Sequence, residues 1–320
     1  MKALVTAEFT ADGVRRLEAL GYRVMRAGWG VTHQPLARQD LVAAAAGVQL
    51  LLTEIETVDR PVLDALPDLA LVGTARGGPA NVDLTACAER GLPVLFTPGR
   101  NAESVADFTI GLLLALLRQI PAADRHLRAH GWLVGDELPY LHFRGPELGA
   151  LTLGLIGYGA VGTRVAKRAR DGFGMAVCFT DPAVEGSVPL PDLLSSVDVL
   201  SLHCPRLPET HHLIDGAALS RLRPGSYLVN TAGGAVVDPV ALRAALDSGH
   251  LAGAALDVYE REPLPADDPL LGAPRLLLTP HLAGAATDVV RHHTELLCDD
   301  VERWHRGEPL RHQAKASAAR

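Results

Sequence analysis

The residues best suited to bind a ligand form a glycine-rich loop near the middle of the chain. Residues 157–162 separate a strand-like run, residues 151–156, from a helical pattern. In such a loop the first glycine permits a tight turn, the second lets the backbone approach a pyrophosphate, and the third lets the helix pack close to the strand. Free N–H groups at the helix start then face the anion. The predicted phosphate site consists of Gly157, Tyr158, Gly159, Ala160, Val161 and Gly162.

An acidic residue at the end of the next strand-like run extends this prediction. Residues 175–180 end in Asp181, which follows Gly162 by 19 positions. A carboxylate there accepts hydrogen bonds from the adenosine ribose and repels a 2′-phosphate. The sequence therefore predicts a dinucleotide-binding βαβ unit over residues 151–182 that holds NAD rather than NADP. A glycine-rich turn without a ligand is the alternative, and FAD proteins and methyltransferases share such loops.

Metal binding is not predicted. Among the 13 histidines, the adjacent pairs are His211-His212 and His292-His293. Neighbours on a helix point about 100° apart, whereas metal-binding pairs use i,i+3 or i,i+4 spacing. The four cysteines lie far apart with no CxxC pair, which indicates reduced thiols: Cys87, Cys178, Cys204 and Cys298.

The composition excludes several classes of protein. The chain has 320 residues, 48% of them hydrophobic and 21% charged, which favours two globular domains. A formal net charge of -7 without a basic stripe argues against nucleic acid as a partner. The most apolar helical run, residues 108–117, is too short for a membrane crossing, which needs about 20 residues. The amino terminus has no signal-peptide pattern, so we expect a cytoplasmic location.

Strand-like runs that alternate with helical patterns must position these residues. The first hundred residues alternate in this way, which implies an α/β domain with a parallel sheet. Turn residues at 96–101 and a long apolar helix to about residue 117 mark a domain crossing. Six further runs predict a doubly wound parallel sheet: residues 151–156, 175–180, 197–203, 226–230, 253–257 and 276–279. Residues 287–307 are predicted to form one helix, and residues 314–320 to be frayed.

Across nearly its whole length the sequence resembles the D-isomer-specific 2-hydroxyacid dehydrogenases, which include D-3-phosphoglycerate dehydrogenase, glyoxylate reductase and phosphite dehydrogenase. The resemblance depends on many blocks in one order. They are NVDL at 81–84, RGLPV at 90–94, PGRN at 98–101, SVAD at 104–107, the glycine loop, LHCP at 202–205, PET at 208–210, LRPG at 222–225, NTA at 230–232, ALDVY at 255–259, EP at 262–263 and TPH at 279–281.

The resemblance implies the fold and the assembly. A Rossmann dinucleotide-binding domain, residues 101–287, is inserted into a smaller flavodoxin-like α/β substrate domain made of residues 1–100 and 288–320. Family members are usually homodimers through the inserted domain, and the helix that starts at Asn101 resembles part of that interface. The expected substrate is a small anion.

The resemblance also implies roles for individual residues. His281 matches the family's catalytic acid/base. The residue type fits this role, because reduction of a ketone needs a proton donor beside the carbonyl oxygen. Glu262 matches the glutamate that pairs with this histidine and fixes its tautomer. Asp257 matches the residue that holds the nicotinamide carboxamide, although an aspartate at a strand end is often only a helix cap. Further residues expected to line the cofactor are His203, Cys204, Pro205, Thr231, Ala232, His281 itself and Gly284.

One position departs from the family pattern. Where the family has an arginine in a segment like NTARG, this sequence has Gly233. In the family that arginine binds the substrate carboxylate as a fork and polarises the adjacent carbonyl. Three explanations stay open at this point: another arginine supplies the charge, the substrate lacks the usual carboxylate, or the protein binds NAD(H) without catalysis.

The best substitute in the sequence is Arg76, in the loop that faces the substrate in the family. Gly77 and Gly78 of this loop are expected to offer backbone N–H groups, and Arg100 and Gly233 are further candidates for the substrate site. We therefore predict an NAD-dependent oxidoreductase that moves a hydride between nicotinamide and a small 2-hydroxy or 2-oxo acid, with phosphorylated and phosphonate-type anions as candidates. The alternative is a catalytically altered NAD(H)-binding regulator on the same fold.

Overall fold

The computed structural model of the chain describes residues 1–315. The chain divides into two compact units: unit 1 contains Met1–Asn101 and Ala286–Arg320, and unit 2 contains Ala102–Ala285. The described residues form twelve strands. These are β1 (Lys2–Val5), β2 (Arg23–Arg26), β3 (Leu50–Thr53), β4 (Leu71–Thr74), β5 (Val94–Leu95), β6 (Thr152–Ile156), β7 (Ala176–Thr180), β8 (Val199–Leu202), β9 (Ser226–Asn230), β10 (Leu251–Leu256), β11 (Leu276–Leu278) and β12 (Gln313–Ala314).

The α-helices follow in chain order. They are α1 (Ala11–Ala19), α2 (Trp29–Thr32), α3 (Arg38–Ala44), α4 (Arg60–Asp64), α5 (Leu84–Glu89), α6 (Ala102–Leu117), α7 (Ile120–His130), α8 (Pro139–His142), α9 (Ala160–Phe173), α10 (Leu190–Ser196), α11 (Gly216–Arg221), α12 (Pro239–Asp247) and α13 (Asp288–His305). Short 3₁₀ helices lie at Leu148–Ala150, Pro208–Thr210, Gly234–Val236 and Pro269–Gly272.

Unit 1 has a six-stranded sheet with the order β12-β5-β4-β3-β1-β2. Strands β1 to β5 are parallel, and their order 2-1-3-4-5 is that of flavodoxin-like sheets, as the resemblance implied. Strand β12 joins the edge antiparallel to β5, with Ala314 opposite Val94. The prediction of a frayed end was therefore wrong at residue 314, because this residue pairs with the sheet edge. Residues 316–320 of that prediction lie outside the described residues.

Unit 2 has a second six-stranded sheet, in the order β11-β10-β9-β8-β6-β7, and every strand pair in it is parallel. This confirms the predicted doubly wound sheet of six strands. Such strands are covered on both faces and read as continuous apolar runs, and all four residues of β8 are buried. The strand order reverses between β6 and β8, and ligands of open α/β sheets bind at the carboxyl ends of strands at such a point.

Helix α6 is a core element of unit 2. Its buried residues include Val105, Ile110 and Leu113, and Ile110 and Leu113 pack into a cluster with residues of β6, β8, β9 and β10. Within residues 1–315 no single helix is both long and apolar enough to cross a membrane. The bent pair α6 and α7 reaches that threshold only when the two helices are counted together.

Candidate active site

The glycine loop connects β6 to α9, and two of its glycines are required by close packing. A Cβ atom at Gly157, whose φ is 92°, would lie 2.6 Å from backbone atoms of His203 and Cys204. A Cβ atom at Gly162 would lie 2.2 Å from the carbonyl oxygen of Gly157. A Cβ atom at Gly159 would meet nothing within 4 Å. The loop is therefore tight on its protein side and open at Gly159.

The first turn of α9 faces this open position without competition from a carboxylate. Its N-cap, Gly159, has no side chain to accept a hydrogen bond, and the first turn contains no acidic residue. The free N–H groups and the positive end of the helix dipole favour an anion there. This arrangement fits the pyrophosphate of a dinucleotide.

Asp181 follows β7 and contacts the glycine loop. Its Oδ2 accepts a hydrogen bond from the Tyr158 N–H at 2.7 Å, and its Oδ1 accepts one from the Ala183 N–H at 3.0 Å. The ring of Tyr158 stacks on Phe179 of β7 with centroids 3.8 Å apart. The carboxylate is therefore fixed beside the glycine loop, and its predicted contact with the ribose of a dinucleotide stays a prediction.

His203 lies at the end of β8, directly against the glycine loop. Its Nε2 is 2.9 Å from the Ser201 hydroxyl, whereas its buried Nδ1 has no hydrogen-bond partner within residues 1–315. Burial lowers the pKa of His203 to about 3, so the imidazole stays neutral near pH 7. Cys204 is buried and Pro205 is exposed on the segment that follows. The orphaned nitrogen is a group that a bound ligand can satisfy.

A histidine and a glutamate of unit 2 form a close pair. His281 Nδ1 lies 2.7 Å from Glu262 Oε2, and the other oxygen, Oε1, accepts the Tyr259 N–H at 2.9 Å. Since an ionised carboxylate only accepts hydrogen bonds, Nδ1 carries the proton and donates it to Glu262. The imidazole is 62% exposed, which leaves Nε2 available to a substrate.

The pKa of Glu262 is lowered from its usual range. Partial burial raises it, but hydrogen bonds from His281 and from the Tyr259 N–H, together with the charges of His281 and Arg206, outweigh burial. The carboxylate therefore stays ionised well below neutral pH, and its pairing with His281 is maintained there.

The loop that carries His281 is held by the end of β10. His281 has a left-handed backbone with φ of 56°, and its N–H donates to the Asp257 and Thr279 carbonyl oxygens. The Asp257 side chain is fully buried, and it accepts from the Thr279 hydroxyl at 2.6 Å and from the N–H groups of Leu282 and Ala283 at 2.8 Å. These contacts resemble a helix cap. The predicted contact of Asp257 with nicotinamide stays a prediction, as does that of half-buried Gly284.

A cavity of about 650 Å³ adjoins the His281–Glu262 pair. Its wall is mostly apolar and belongs to the segments on either side of the pair. The lining residues are Tyr259, Glu262, Pro263, Leu264, Leu271, Leu278, Thr279, Pro280 and His281.

The loop after β9 is fixed by a buried amide. The Asn230 Oδ1 accepts from the N–H groups of Ala232 and Gly233, and its Nδ2 donates to the Gly233 carbonyl at 3.0 Å. The hydroxyl of Thr231 lies 3.0 Å from that of Thr109 on α6. A Cβ atom at Gly233 would lie 3.6 Å from the Cβ and Cδ atoms of Arg206. The side-chain direction of residue 233 is therefore covered by Arg206.

The predicted substrate residues of unit 1 have different surroundings. Arg76 follows β4 and is half-buried, and Gly77 and Gly78 after it are exposed. The Arg100 Nη1 lies 2.8 Å from Glu54 Oε1 and 2.8 Å from His293 Nδ1, so this guanidinium already has a carboxylate partner. The substrate roles of both arginines stay predictions.

The adjacent histidines His211 and His212 do not lie on a helix, so the argument from helical spacing does not apply to them. They follow the 3₁₀ helix at Pro208–Thr210, their rings stack 4.0 Å apart, and both Nε2 atoms approach Glu260, at 3.6 and 3.2 Å. This group of three potential metal ligands is largely exposed. Sequence reasoning missed it because Glu260 is 48 residues away from His212.

Other residues of the site were also missed. Asn230 and Thr279 position loops through hydrogen bonds, and their partners cannot be identified from spacing. Tyr259 binds the Thr279 carbonyl through its hydroxyl at 2.9 Å, in addition to its N–H contact with Glu262. The only signal for Arg206 was its position next to Pro205, a residue predicted to line the cofactor.

Comparison with known proteins identifies the family. Residues 110–283, more than half of the chain, match a protein-family model, that of the NAD binding domain of D-isomer specific 2-hydroxyacid dehydrogenase. The chain belongs to the D-isomer specific 2-hydroxyacid dehydrogenases. It is accordingly an NAD-dependent oxidoreductase that acts on CH–OH groups.

Individual relatives agree with this membership. The putative 2-hydroxyacid dehydrogenase YoaD of Bacillus subtilis is 35% identical over 95% of this chain and 91% of its own length. The glyoxylate reductase of Korarchaeum cryptofilum is 38% identical over 81% of this chain and 79% of its own. A crystal structure of a Thermus thermophilus protein has a TM-score of 0.82 at 34% identity, covering 98% of this chain and 100% of that one.

Proposed function

We propose that this dehydrogenase interconverts a small 2-oxo acid and the corresponding 2-hydroxy acid, with His281 as the acid/base group. The observation that carries the proposal is the 2.7 Å contact between His281 Nδ1 and Glu262 on a loop that leaves the imidazole exposed. A histidine oriented by a carboxylate is suited to give and retake a proton near neutral pH.

The roles of the chain's own groups follow from this geometry. Bound NAD(H) supplies or accepts the hydride at the substrate carbon. In the direction of reduction, His281 Nε2 donates a proton to the carbonyl oxygen, so that one hydride and one proton convert C=O into CH–OH. Glu262 accepts the Nδ1 proton in a hydrogen bond and stabilises the positive charge of the imidazolium before transfer.

The residues proposed to hold NAD surround the carboxyl ends of β6, β7 and β8. The glycine loop and the start of α9 bind the pyrophosphate, and Asp181 accepts hydrogen bonds from the ribose hydroxyls. A carboxylate at this point disfavours the 2′-phosphate of NADP. The proposed contacts with the nicotinamide and adenine sides of the cofactor come from His203, Cys204, Pro205, Thr231, Ala232, Asp257 and Gly284.

The proposed substrate is a small anion. One relative is named a glyoxylate reductase, so glyoxylate is the first compound to try, and phosphorylated or phosphonate-type 2-oxo acids follow. Arg76 with Gly77 and Gly78 is the proposed anion-binding loop of unit 1, and Arg100 is a second candidate there. Gly233 occupies the position at which we propose that the family's arginine has been replaced.

The proposal is tested by a substrate screen. Purified enzyme is mixed with NADH or NADPH and with glyoxylate, pyruvate, hydroxypyruvate or phosphohydroxypyruvate, and oxidation of the cofactor is followed by its ultraviolet absorbance. We expect turnover of at least one acid with NADH and weaker use of NADPH.

The missing side chain at Gly233 supports a second candidate, an NAD(H)-binding regulator. Tight NADH binding without turnover of any acid, followed by a gain of turnover in Gly233→Arg, would favour that alternative.

We also propose that the enzyme is a homodimer through a segment of unit 2. Large apolar residues are exposed along α7, α8 and the turn between them, and such patches mark protein interfaces. They are Ile120, Leu127, Trp132, Leu133, Leu138, Tyr140 and Leu141. Sedimentation of the wild type and of a Trp132→Ser, Tyr140→Ser variant tests this, with a dimer expected for the first and a monomer for the second.

A further inference from the structure

Residue 233 offers no side chain, and an arginine from another loop covers it. The three atoms nearest to an ideal Cβ at Gly233 are the Cβ, Cδ and Cγ of Arg206, at 3.6, 3.6 and 3.8 Å. These are ordinary van der Waals distances. The methylene stem of Arg206 therefore lies along the direction in which a side chain at position 233 would start.

The charged end of this side chain acts on the catalytic pair. Arg206 is one of the groups whose charge lowers the pKa of Glu262, in addition to the larger effects of His281 and the Tyr259 N–H. Arg206 is an exposed residue, and within residues 1–315 it forms no ion pair with a carboxylate. A cation therefore stands within electrostatic range of the proposed acid/base group, and no carboxylate of the described chain neutralises it by direct contact.

The loop that carries Arg206 is fixed on both sides of the residue. The Thr210 hydroxyl donates to the Pro205 carbonyl at 2.8 Å and accepts the Leu207 N–H at 2.9 Å. The opposing loop is held by Asn230, whose side-chain Nδ2 donates to the Gly233 carbonyl and whose Oδ1 accepts the Gly233 N–H. The contact between Arg206 and Gly233 therefore joins two backbone segments that are each held in position.

We propose that Arg206 provides the guanidinium that binds the substrate carboxylate in this enzyme, in place of a side chain at position 233. The inference rests on the proposed function, because it assumes a 2-oxo acid as substrate. A carboxylate next to a carbonyl needs a planar cationic donor that reaches both groups, and a guanidinium meets this need where an ammonium does not. Gly233 then has a function of its own, because the absence of a side chain leaves room for the methylene stem of Arg206 on the way to the His281–Glu262 pair.

The test compares four variants with the wild type: Arg206→Ala, Arg206→Lys, Gly233→Arg and the double variant Arg206→Ala, Gly233→Arg. Arg221→Ala is the control, because Arg221 is an exposed arginine in the last turn of α11 and has no role in the site. Measurements are kcat and KM for the best 2-oxo acid, the Kd of NADH from its fluorescence, and binding of oxamate to the enzyme–NADH complex by calorimetry.

We expect Arg206→Ala to lower kcat/KM by roughly 30-fold or more and to weaken oxamate, with the Kd of NADH unchanged. Arg206→Lys should keep only a small part of the kcat/KM that Arg206→Ala loses. In the Arg206→Ala background, Gly233→Arg should raise kcat/KM by at least about tenfold. A kcat/KM for Arg206→Ala within about twofold of the wild type and of Arg221→Ala would overturn the proposal. An equal loss of NADH affinity would also overturn it, because Arg206 would then be structural.

The oxamate measurement separates this inference from the proposed function. If the wild type reduces no 2-oxo acid, the proposed function fails, but oxamate binding still reports on the carboxylate site. Loss of oxamate binding in Arg206→Ala alone then supports the role of Arg206. Equal binding in wild type and variant, or no binding to either, contradicts it.

Discussion

Two loops at the carboxyl edge of the unit 2 sheet are specified in different ways. The loop at residues 157–162 is defined by its backbone, since Gly157 and Gly162 touch other main-chain atoms and Gly159 faces open space. The loop at residues 230–234 is defined by side chains, namely Asn230 within it and Arg206 over it. A backbone site leaves a fixed spacing of glycines in the sequence. A side-chain site can exchange one arginine for another at a distant position and leaves no such spacing.

The largest expected effect comes from a second group of side chains, the His281–Glu262 pair. His281→Asn should lower kcat roughly 10²- to 10⁴-fold, because the proton donor is lost, whereas asparagine tolerates the left-handed backbone at this position. Glu262→Gln is the matched variant, and it should lose roughly 10- to 150-fold, in line with one hydrogen bond to a charged group. Steady-state kinetics and the Kd of NADH check both. Full activity of His281→Asn would remove His281 from the mechanism.

The next largest effect concerns the glycines of the backbone site, of which one is expected to matter for stability and another for NADH binding. Gly162→Ala should lower the free energy of unfolding by roughly 1–3 kcal/mol, because its Cβ would lie 2.2 Å from the Gly157 oxygen. Gly159→Ala should leave stability unchanged and weaken NADH, because its Cβ would project into the open space at the start of α9. Denaturant unfolding without cofactor and NADH titration measure the two quantities. Equal loss of stability in both variants would show that the loop is not divided in this way.

A smaller effect tests the proposed anion-binding loop of unit 1. Arg76→Ala should raise KM for the 2-oxo acid about tenfold with little change in kcat, as expected for the loss of a charged hydrogen bond. Arg15→Ala, which removes an exposed arginine of α1, serves as the control. An unchanged KM would exclude Arg76 from substrate binding and leave Arg206 as the anion-binding arginine.

The smallest effect concerns the pH dependence of stability at the backbone site. Burial lowers the pKa of His203 to about 3, so between about pH 6.5 and 3 the unfolded chain binds more protons at this residue than the folded chain. Its contribution is complete above about pH 6.5 and decreases as the pH falls, by at most about 1.4 kcal/mol per unit.

Unfolding of wild type and His203→Asn between about pH 7 and 5 measures this contribution. The slope should be smaller in the variant. The buried His293, with a pKa lowered to about 4 by burial, contributes equally to both proteins. Identical slopes for wild type and His203→Asn would contradict the prediction.

The parts of the molecule that could be predicted are those set by local pattern. Apolar runs predicted the six strands of unit 2, because strands covered on both faces admit few polar residues. The charged strand β2 (Arg23–Arg26) was missed, since it lies at a sheet edge and two of its four residues are exposed arginines. The antiparallel strand β12 was missed because it is short and its partner, β5 (Val94–Leu95), is remote from it in sequence.

The candidate site divides along the same line. The glycine loop and the pairing of His281 with Glu262 could be proposed from motifs, and the structure brings the latter two together at 2.7 Å. Arg206 and the cluster of His211 with Glu260 could not, because each depends on a contact between loops far apart in sequence. Arg100 is the reverse case: its motif predicted a substrate contact and gave no sign that Glu54 and His293 would contact its guanidinium.

The buried carboxylate of Asp257 has a consequence for protein engineering. Its two oxygens take one hydroxyl and two N–H groups from the His281 loop, so the loop and the end of β10 form a single module. Recombination with a relative should succeed when the crossover points keep Asp257 and Thr279 from the same parent. A chimera that separates them would inherit the histidine without its geometry.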